Sequence, residues 1–169
     1  VLKVWCSLAI WRVLSKDILA NIGTAEEKIL KALLVLRHTL MAWYKEHAAE
    51  VHDLTPKMIG TLDAPVCKTK GAETYGLLRF LVDLLGRHSA RLGADGANLL
   101  RAGRCLVNMI HLWKQSDVNL APVAVQELFD LYSEHMSRMA RFNCYTPKHH
   151  LVWHLLHNIP YHGNPILYA

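Results

Sequence analysis

TAEEKILKALLVLRHTLMAWYKEHAAEVH, residues 24–52, sets the fold class of this chain. Thr24 followed three residues later by Glu27 is a capping box, in which each side chain satisfies a backbone N–H that a first helical turn leaves without a partner. Downstream, Leu30, Leu33, Leu34, Leu40, Met41 and Tyr44 recur at helical spacing, not in strand alternation. A face this wide predicts contacts on more than one side, as for a central helix of a bundle. Glu27 and Lys31, one turn apart, are placed to pair on its outer surface.

Similar periodicity fills the flanking sequence. Residues 1–20 form an apolar helix carrying Trp5 and Trp11, stopped near residues 21–23. Residues 54–71, LTPKMIGTLDAPVCKTKG, break the pattern with two prolines and two glycines and predict a long internal loop. Helices over 72–92 and 97–115 bury Leu77, Leu78, Leu81, Leu84 and Leu85, then Leu99, Leu106, Ile110 and Trp113. Pro122 suits a first turn and opens a helix running to 141; Thr146 and Pro147 start the last one. No stretch alternates like a strand, and no internal repeat occurs. The expectation is an all-α fold, a single helical bundle-like domain of five or six helices over residues 1–169. The periodic start at Val1 and the apolar last residues read as cuts through a longer polypeptide.

With 169 residues, 52% hydrophobic and 20% charged, the chain can bury one sizeable core and is too apolar for a disordered tail. Its net charge of +5 favours a polyanionic neighbour, whether RNA, DNA or an acidic membrane surface. Cys6, Cys67, Cys105 and Cys144 form no CxxC pair, so reduced, mostly buried thiols of an intracellular protein are expected, in nucleus or organelle. Lys3, Arg12, Lys31 and Arg37 interrupt the longest apolar runs, which excludes a membrane-spanning length. No catalytic residue is nominated, and no motif calls for a cofactor.

Residues 146–158, TPKHHLVWHLLHN, concentrate the chemistry. On a helix, His150, His154 and His157 fall within a stripe roughly 60° wide. Leu151, Val152, Leu155, Leu156 and Ile159 take the other side, with His149 and Trp153 at its edge. Three readings compete. Imidazoles one turn apart can offer two nitrogens to zinc, although the glutamate of HExxH is missing and no carboxylate or cysteine lies within the helix. With Lys148 they can meet phosphates or bases. The simplest reading is a solvated or interhelical polar face with ordinary hydrogen bonds. Gly163 can supply positive φ beyond the helix, and Pro165 prevents its continuation.

The string Pro147–Lys148–His149–His150, then His154–Leu155 and a Gly163–Asn164–Pro165 turn, resembles a PKxHxxxHL block of transposase-like proteins encoded by cut-and-paste transposons and their domesticated relatives. Lys70–Gly71–Ala72–Glu73, opening an apolar helix, is similar to an upstream helix start in the same proteins. The resemblance covers the C-terminal stretch and this short piece. It implies that Lys148, His149, His150 and His154 are motif positions of a helix lying downstream of a nuclease core. That core uses acidic residues on an RNase H-like sheet around divalent metal. No such sheet is predicted here, and nothing gathers Asp53, Asp63 and Glu73 into a triad. The turn also reads GNP where a simpler glycine–proline is expected. The implied role is a helical accessory region detached from catalysis, or one recruited as a structural subunit.

Arginines supply the other constellation. Arg79, Asp83 and Arg87 are spaced by four, which makes a solvated ladder. Arg101, Arg104, Asn108 and His111 line a second helical face. Arg87, Arg91, Arg101 and Arg104 around the LGADGAN turn are the candidates for phosphate contact, which positions a nucleic acid without reading its sequence. Candidate nucleic-acid-binding residues are thus Arg87, Arg91, Arg101, Arg104, Lys148, His149, His150 and His154. The expected function is non-catalytic and nucleic-acid-associated, in a transposon-derived protein or a nucleoprotein complex. The alternatives are a structural subunit, with protein partners held through the apolar N-terminal helices, and a histidine-based metal-binding domain.

Overall fold

The structure, a computed structural model, describes residues 1–47 and 53–165. Within them the chain is all-α: α1 (Leu2–Leu14), α2 (Ala25–Glu46), α3 (Pro56–Ile59), α4 (Gly71–Gln115), α5 (Pro122–Met139) and α6 (Pro147–His162), with a 3-10 turn over Ala140–Phe142. No strand forms among the described residues; Gly60 and Pro65 make one isolated antiparallel bridge. The packing separates into two compact units, Leu2–Leu100 and a C-terminal unit that begins at Arg101. No helix among the described residues is long and apolar enough to cross a membrane.

In the N-terminal unit, α1 is buried almost all round, through Trp5, Cys6, Ala9, Ile10, Trp11, Val13 and Leu14. A buried indole needs an acceptor. Trp5 donates to Leu99 O at 2.9 Å and Trp11 to Ile59 O at 2.8 Å. The apolar surface of α1 is therefore largely buried within the chain. In α2 the capping box forms, with Glu27 N to Thr24 Oγ1 at 3.3 Å and Thr24 N to Glu27 Oε2 at 2.8 Å. That duty draws Glu27 away from Lys31, whose ammonium donates instead to Ile22 O at 3.2 Å. Leu33, Leu36, Leu40, Trp43 and Tyr44 go inward, whereas Leu30 and Leu34 remain 56% and 52% exposed, so the buried face is narrower than the pattern predicts. The expected run to residue 52 lies mostly outside the described residues.

The long loop contains α3 and is fastened: Leu54, Ile59 and Cys67 are buried, and Val66 N bonds Ile59 O at 3.0 Å. Gly60 has φ 71, and a Cβ there would meet Ala64 O at 2.5 Å, so only glycine fits this reversal. The expected helices over 72–92 and 97–115 form one element, broken at Gly93 alone (φ 65, ψ −160). Asp95 pairs with Arg12 and Asn98 donates to Ala94 O at 2.8 Å, so the anticipated turn stays helical except at the glycine.

In the C-terminal unit, Ala102, Cys105, Leu106 and Met109 of α4 contribute to the core, as do Leu128, Tyr132, His135 and Met139 of α5. From α6, His149, Leu156 and Ile159 are buried. The last carbonyls of α4 have no intrahelical donor. Asn164 supplies one: its side-chain amide donates to Trp113 O at 2.8 Å, Ser116 O at 3.1 Å and Asp117 O at 3.3 Å. Its backbone N–H donates to Val118 O at 2.7 Å. Gly163 has φ 77, and a Cβ there would sit 2.6 Å from Val118 O. The GNP turn is thus a clasp on the end of α4. Asn164→Ala should destabilise the protein by about 1–3 kcal/mol in urea unfolding, because the part-buried carbonyls at the end of α4 lose their donor. An unchanged midpoint would remove the clasp from the account.

Candidate functional site

The imidazole helix α6 starts from its cap. Thr146 Oγ1 lies 2.9 Å from His149 Nδ1, and Thr146 N donates to the same nitrogen at 3.2 Å. His149 thus does the work a Glu or Gln does in most capping boxes. The residue is buried, and Tyr132 donates its hydroxyl to His149 O at 2.6 Å. His149, grouped in the sequence with imidazoles open to a nucleic acid, is therefore withdrawn from the surface, because the cap turns its ring inward.

A second buried imidazole faces it. His135 Nδ1 lies 3.0 Å from Ala102 O, and its ring stacks on His149 at 6.2 Å between centroids. A carbonyl only accepts, so His135 carries its proton on Nδ1; His149 accepts at Nδ1 and so carries its proton on Nε2. Both Nε2 atoms are buried without a partner among the described residues. Burial pushes His135 down to about 4, against the raising effect of the Ala102 carbonyl and with a further lowering from His149. Burial likewise lowers His149. His135 escaped the sequence reading, although Leu128, Tyr132, His135 and Met139 share a helical spacing that could have marked it as core.

His150 and His154 are exposed, with Nε2 atoms 2.8 Å apart and rings nearly perpendicular at 86°. His157 turns elsewhere and packs edge-on against Phe129 and Trp153, at 4.9 and 5.3 Å between ring centroids. The three-imidazole set therefore does not assemble, and no group of three or more His, Cys, Asp or Glu among the described residues is arranged to hold a metal ion. Lys148, two residues before His150, is exposed. The other side of the helix is not all inward either: Leu151 is 63% and Leu155 39% exposed, beside the two histidines.

Each arginine pair sits in its own unit. In the N-terminal unit Arg87 and Arg91 are exposed, and Arg91 donates to Asp17 O at 3.1 Å and Ile18 O at 3.4 Å, closing the segment after α1. His88 between them is lowered by partial burial first and then by the Arg91 and Arg87 charges, a sign of locally positive potential. Asp83 accepts from the Trp43 indole at 2.8 Å and Arg79 lies over that ring, so the expected i,i+4 ladder is replaced by contacts with Trp43. In the C-terminal unit Arg101, Arg104, Asn108 and His111 are all exposed on α4. They span roughly 80° of its circumference and about 15 Å of its length. No Asp or Glu lies between Asp95 and Asp117.

No protein-family model matches the chain, and neither a curated protein nor a solved structure matches it. The buried imidazole gives a test that depends on geometry alone. The folded state holds His135 neutral down to about pH 4, whereas the unfolded chain binds a proton near the ordinary value of 6.5. Stability is thus complete above pH 6.5 and lost as pH falls toward 4. His135→Asn, which keeps a donor for Ala102 O but cannot titrate, should flatten thermal midpoints across that window; an unaltered slope would place the acid sensitivity elsewhere.

Proposed function

We propose that this chain is a non-catalytic helical domain that holds nucleic acid by its phosphate backbone, within a transposon-derived protein or a larger nucleoprotein complex. The observation that carries the reading is the acid-free, solvent-exposed stripe Arg101–Arg104–Asn108–His111 on α4. Neither arginine forms an ion pair with a carboxylate among the described residues. Two guanidinium groups one turn apart, followed by an amide and an imidazole, form a row of donors fixed on a rigid helix. Phosphates recur about every 3.4 Å of rise along a strand, so a 15 Å row reaches several of them. Such contacts fix register without reading bases. Exposed Lys148, His150 and His154 on α6 and Arg87 on α4 add further donors of the same kind. The PKxHxxxHL resemblance supports the transposon-derived setting, with Lys148, His150 and His154 as its exposed positions.

A second reading, a structural subunit, has an observation of its own. Leu151 and Leu155 stand open on α6, and Leu30 and Leu34 stand open one turn apart on α2. Exposed leucines in such pairs suit a protein partner. Leu151→Ser with Leu155→Ser should leave nucleic-acid affinity unchanged on this reading; an equal loss would assign those leucines to the nucleic-acid surface.

The first reading is tested by anisotropy titrations of labelled mixed-sequence duplex and single-stranded DNA and RNA over a salt series. Affinity should fall linearly in log–log form, and Arg101→Ala with Arg104→Ala should reduce the duplex slope by about 2, near 0.9 for each lost contact. Salt-independent binding, or a double variant identical to the parent, would falsify it.

A further inference from the structure

In the N-terminal unit, an open cleft of about 710 Å3 is lined by Lys3, Lys68, Lys70, Asp53, Glu73 and Cys67, among others. Its carboxylates are committed. Asp53 accepts two hydrogen bonds from Arg37, and Glu73 Oε2 accepts from Lys70 N at 2.8 Å. Lys3, Lys68 and Lys70 are exposed at its rim, with no ion pair among the described residues. The cleft thus presents ammonium groups to whatever enters, and a thiol in its wall.

That thiol has a second one behind it. Cys67 Sγ lies 3.3 Å from Thr69 Oγ1, which lies 2.7 Å from Thr74 Oγ1. Cys6, fully buried on α1, places its Sγ 4.0 Å from Thr74 O, so both thiols border the same threonine. Two thiols gathered around one threonine, one facing a cleft and one sealed from solvent, are the arrangement of an attacking and a resolving sulfur.

We propose that Cys67 is a nucleophilic thiol that opens anionic low-molecular-weight disulfides in this cleft and passes the new bond to Cys6. The Cys67 thiolate attacks one sulfur of an R–S–S–R disulfide. The S–S bond breaks, its electron pair leaves with the first RS−, and that thiolate takes a proton from solvent. Cys6 then gives its proton to solvent and attacks the Cys67 sulfur of the mixed disulfide, releasing the second RS−. The two cysteines lose two electrons and two protons, and the external disulfide is reduced to two thiols. The ammonium rim selects an anionic R group such as glutathionyl.

The electrostatics agree with this division of labour. Interaction with Cys6 first, then the Thr69 hydroxyl and the Lys3 charge, outweigh desolvation and bring Cys67 down to about 7. Burial pushes Cys6, Cys105 and Cys144 up.

The experiment treats the folded chain with glutathione disulfide at pH 7 and follows intact mass and peptide maps. The parent should lose two hydrogens with Cys6 and Cys67 joined. Cys6→Ser should accumulate one glutathionyl group on Cys67, and Cys67→Ser should not react at either position. Lys3→Gln, which keeps both thiols, should slow the reaction with glutathione disulfide severalfold but not the reaction with neutral 2-hydroxyethyl disulfide. An inert parent, or adducts mapping to Cys105 or Cys144 in place of Cys67, would overturn the proposal. Equal rates for the two reagents in parent and Lys3→Gln would overturn its anionic selectivity, and this arm holds even where Cys67→Ser does not fold.

Discussion

Inside both units, buried nitrogen donors are tied to backbone carbonyls far away in the sequence. Trp5 reaches Leu99 O, Trp11 reaches Ile59 O, His135 lies against Ala102 O, and Asn164 reaches three carbonyls at the end of α4. A buried donor left without an acceptor costs about 1–3 kcal/mol, so each of these pairs admits one register of its two segments and penalises its neighbours. Apolar contacts among leucines tolerate sliding, because one methyl group substitutes for another. The directional bonds do not. They explain how a core so rich in leucine specifies one arrangement of helices within each unit.

The same requirement separates what the sequence made legible from what it did not. The capping box at Thr24 and Glu27 and the proline starts of α5 and α6 depend on residues within one turn, and all three were readable. The all-α fold followed from periodicity, which is also local. The break at Gly93 was harder, since LGADGAN carries two glycines and only the first leaves the helix, in a segment where Asp95 pairs with Arg12 of a distant helix. His149 was hardest. By helical angle it sat at the boundary between the polar and apolar sides of α6, and its burial depends on Thr146 and Tyr132. Polar periodicity cannot tell an imidazole that meets solvent from one that caps its own helix.

Because His149 is drawn inward, the face of α6 that remains open is not the one a simple amphipathic helix presents. It carries His150, Leu151, His154 and Leu155 side by side, two imidazoles joined to each other and two leucines without cover. A purely electrostatic surface has no need of the leucines, and a purely apolar docking face would exclude the histidines. The α4 stripe differs: Arg101, Arg104, Asn108 and His111 are polar without interruption and contain no acid. In physical terms α4 is the better platform for a polyanion and α6 the better platform for a mixed surface.

That contrast bears on how the two surfaces respond to their surroundings. Guanidinium groups hold their charge across the whole physiological range, so the contacts proposed for Arg101 and Arg104 would vary with ionic strength and hardly with pH. The C-terminal unit carries an element expected to weaken in acid, because the His135 ring is buried without a proton on Nε2 and burial opposes adding one. Acid therefore acts on the scaffold under the stripe while the two guanidinium groups keep their charge. Loss of polyanion affinity on acidification would report unfolding of this support, whereas loss with salt at neutral pH would report the contacts. Following secondary structure beside affinity separates the two, since only the first is accompanied by loss of helix.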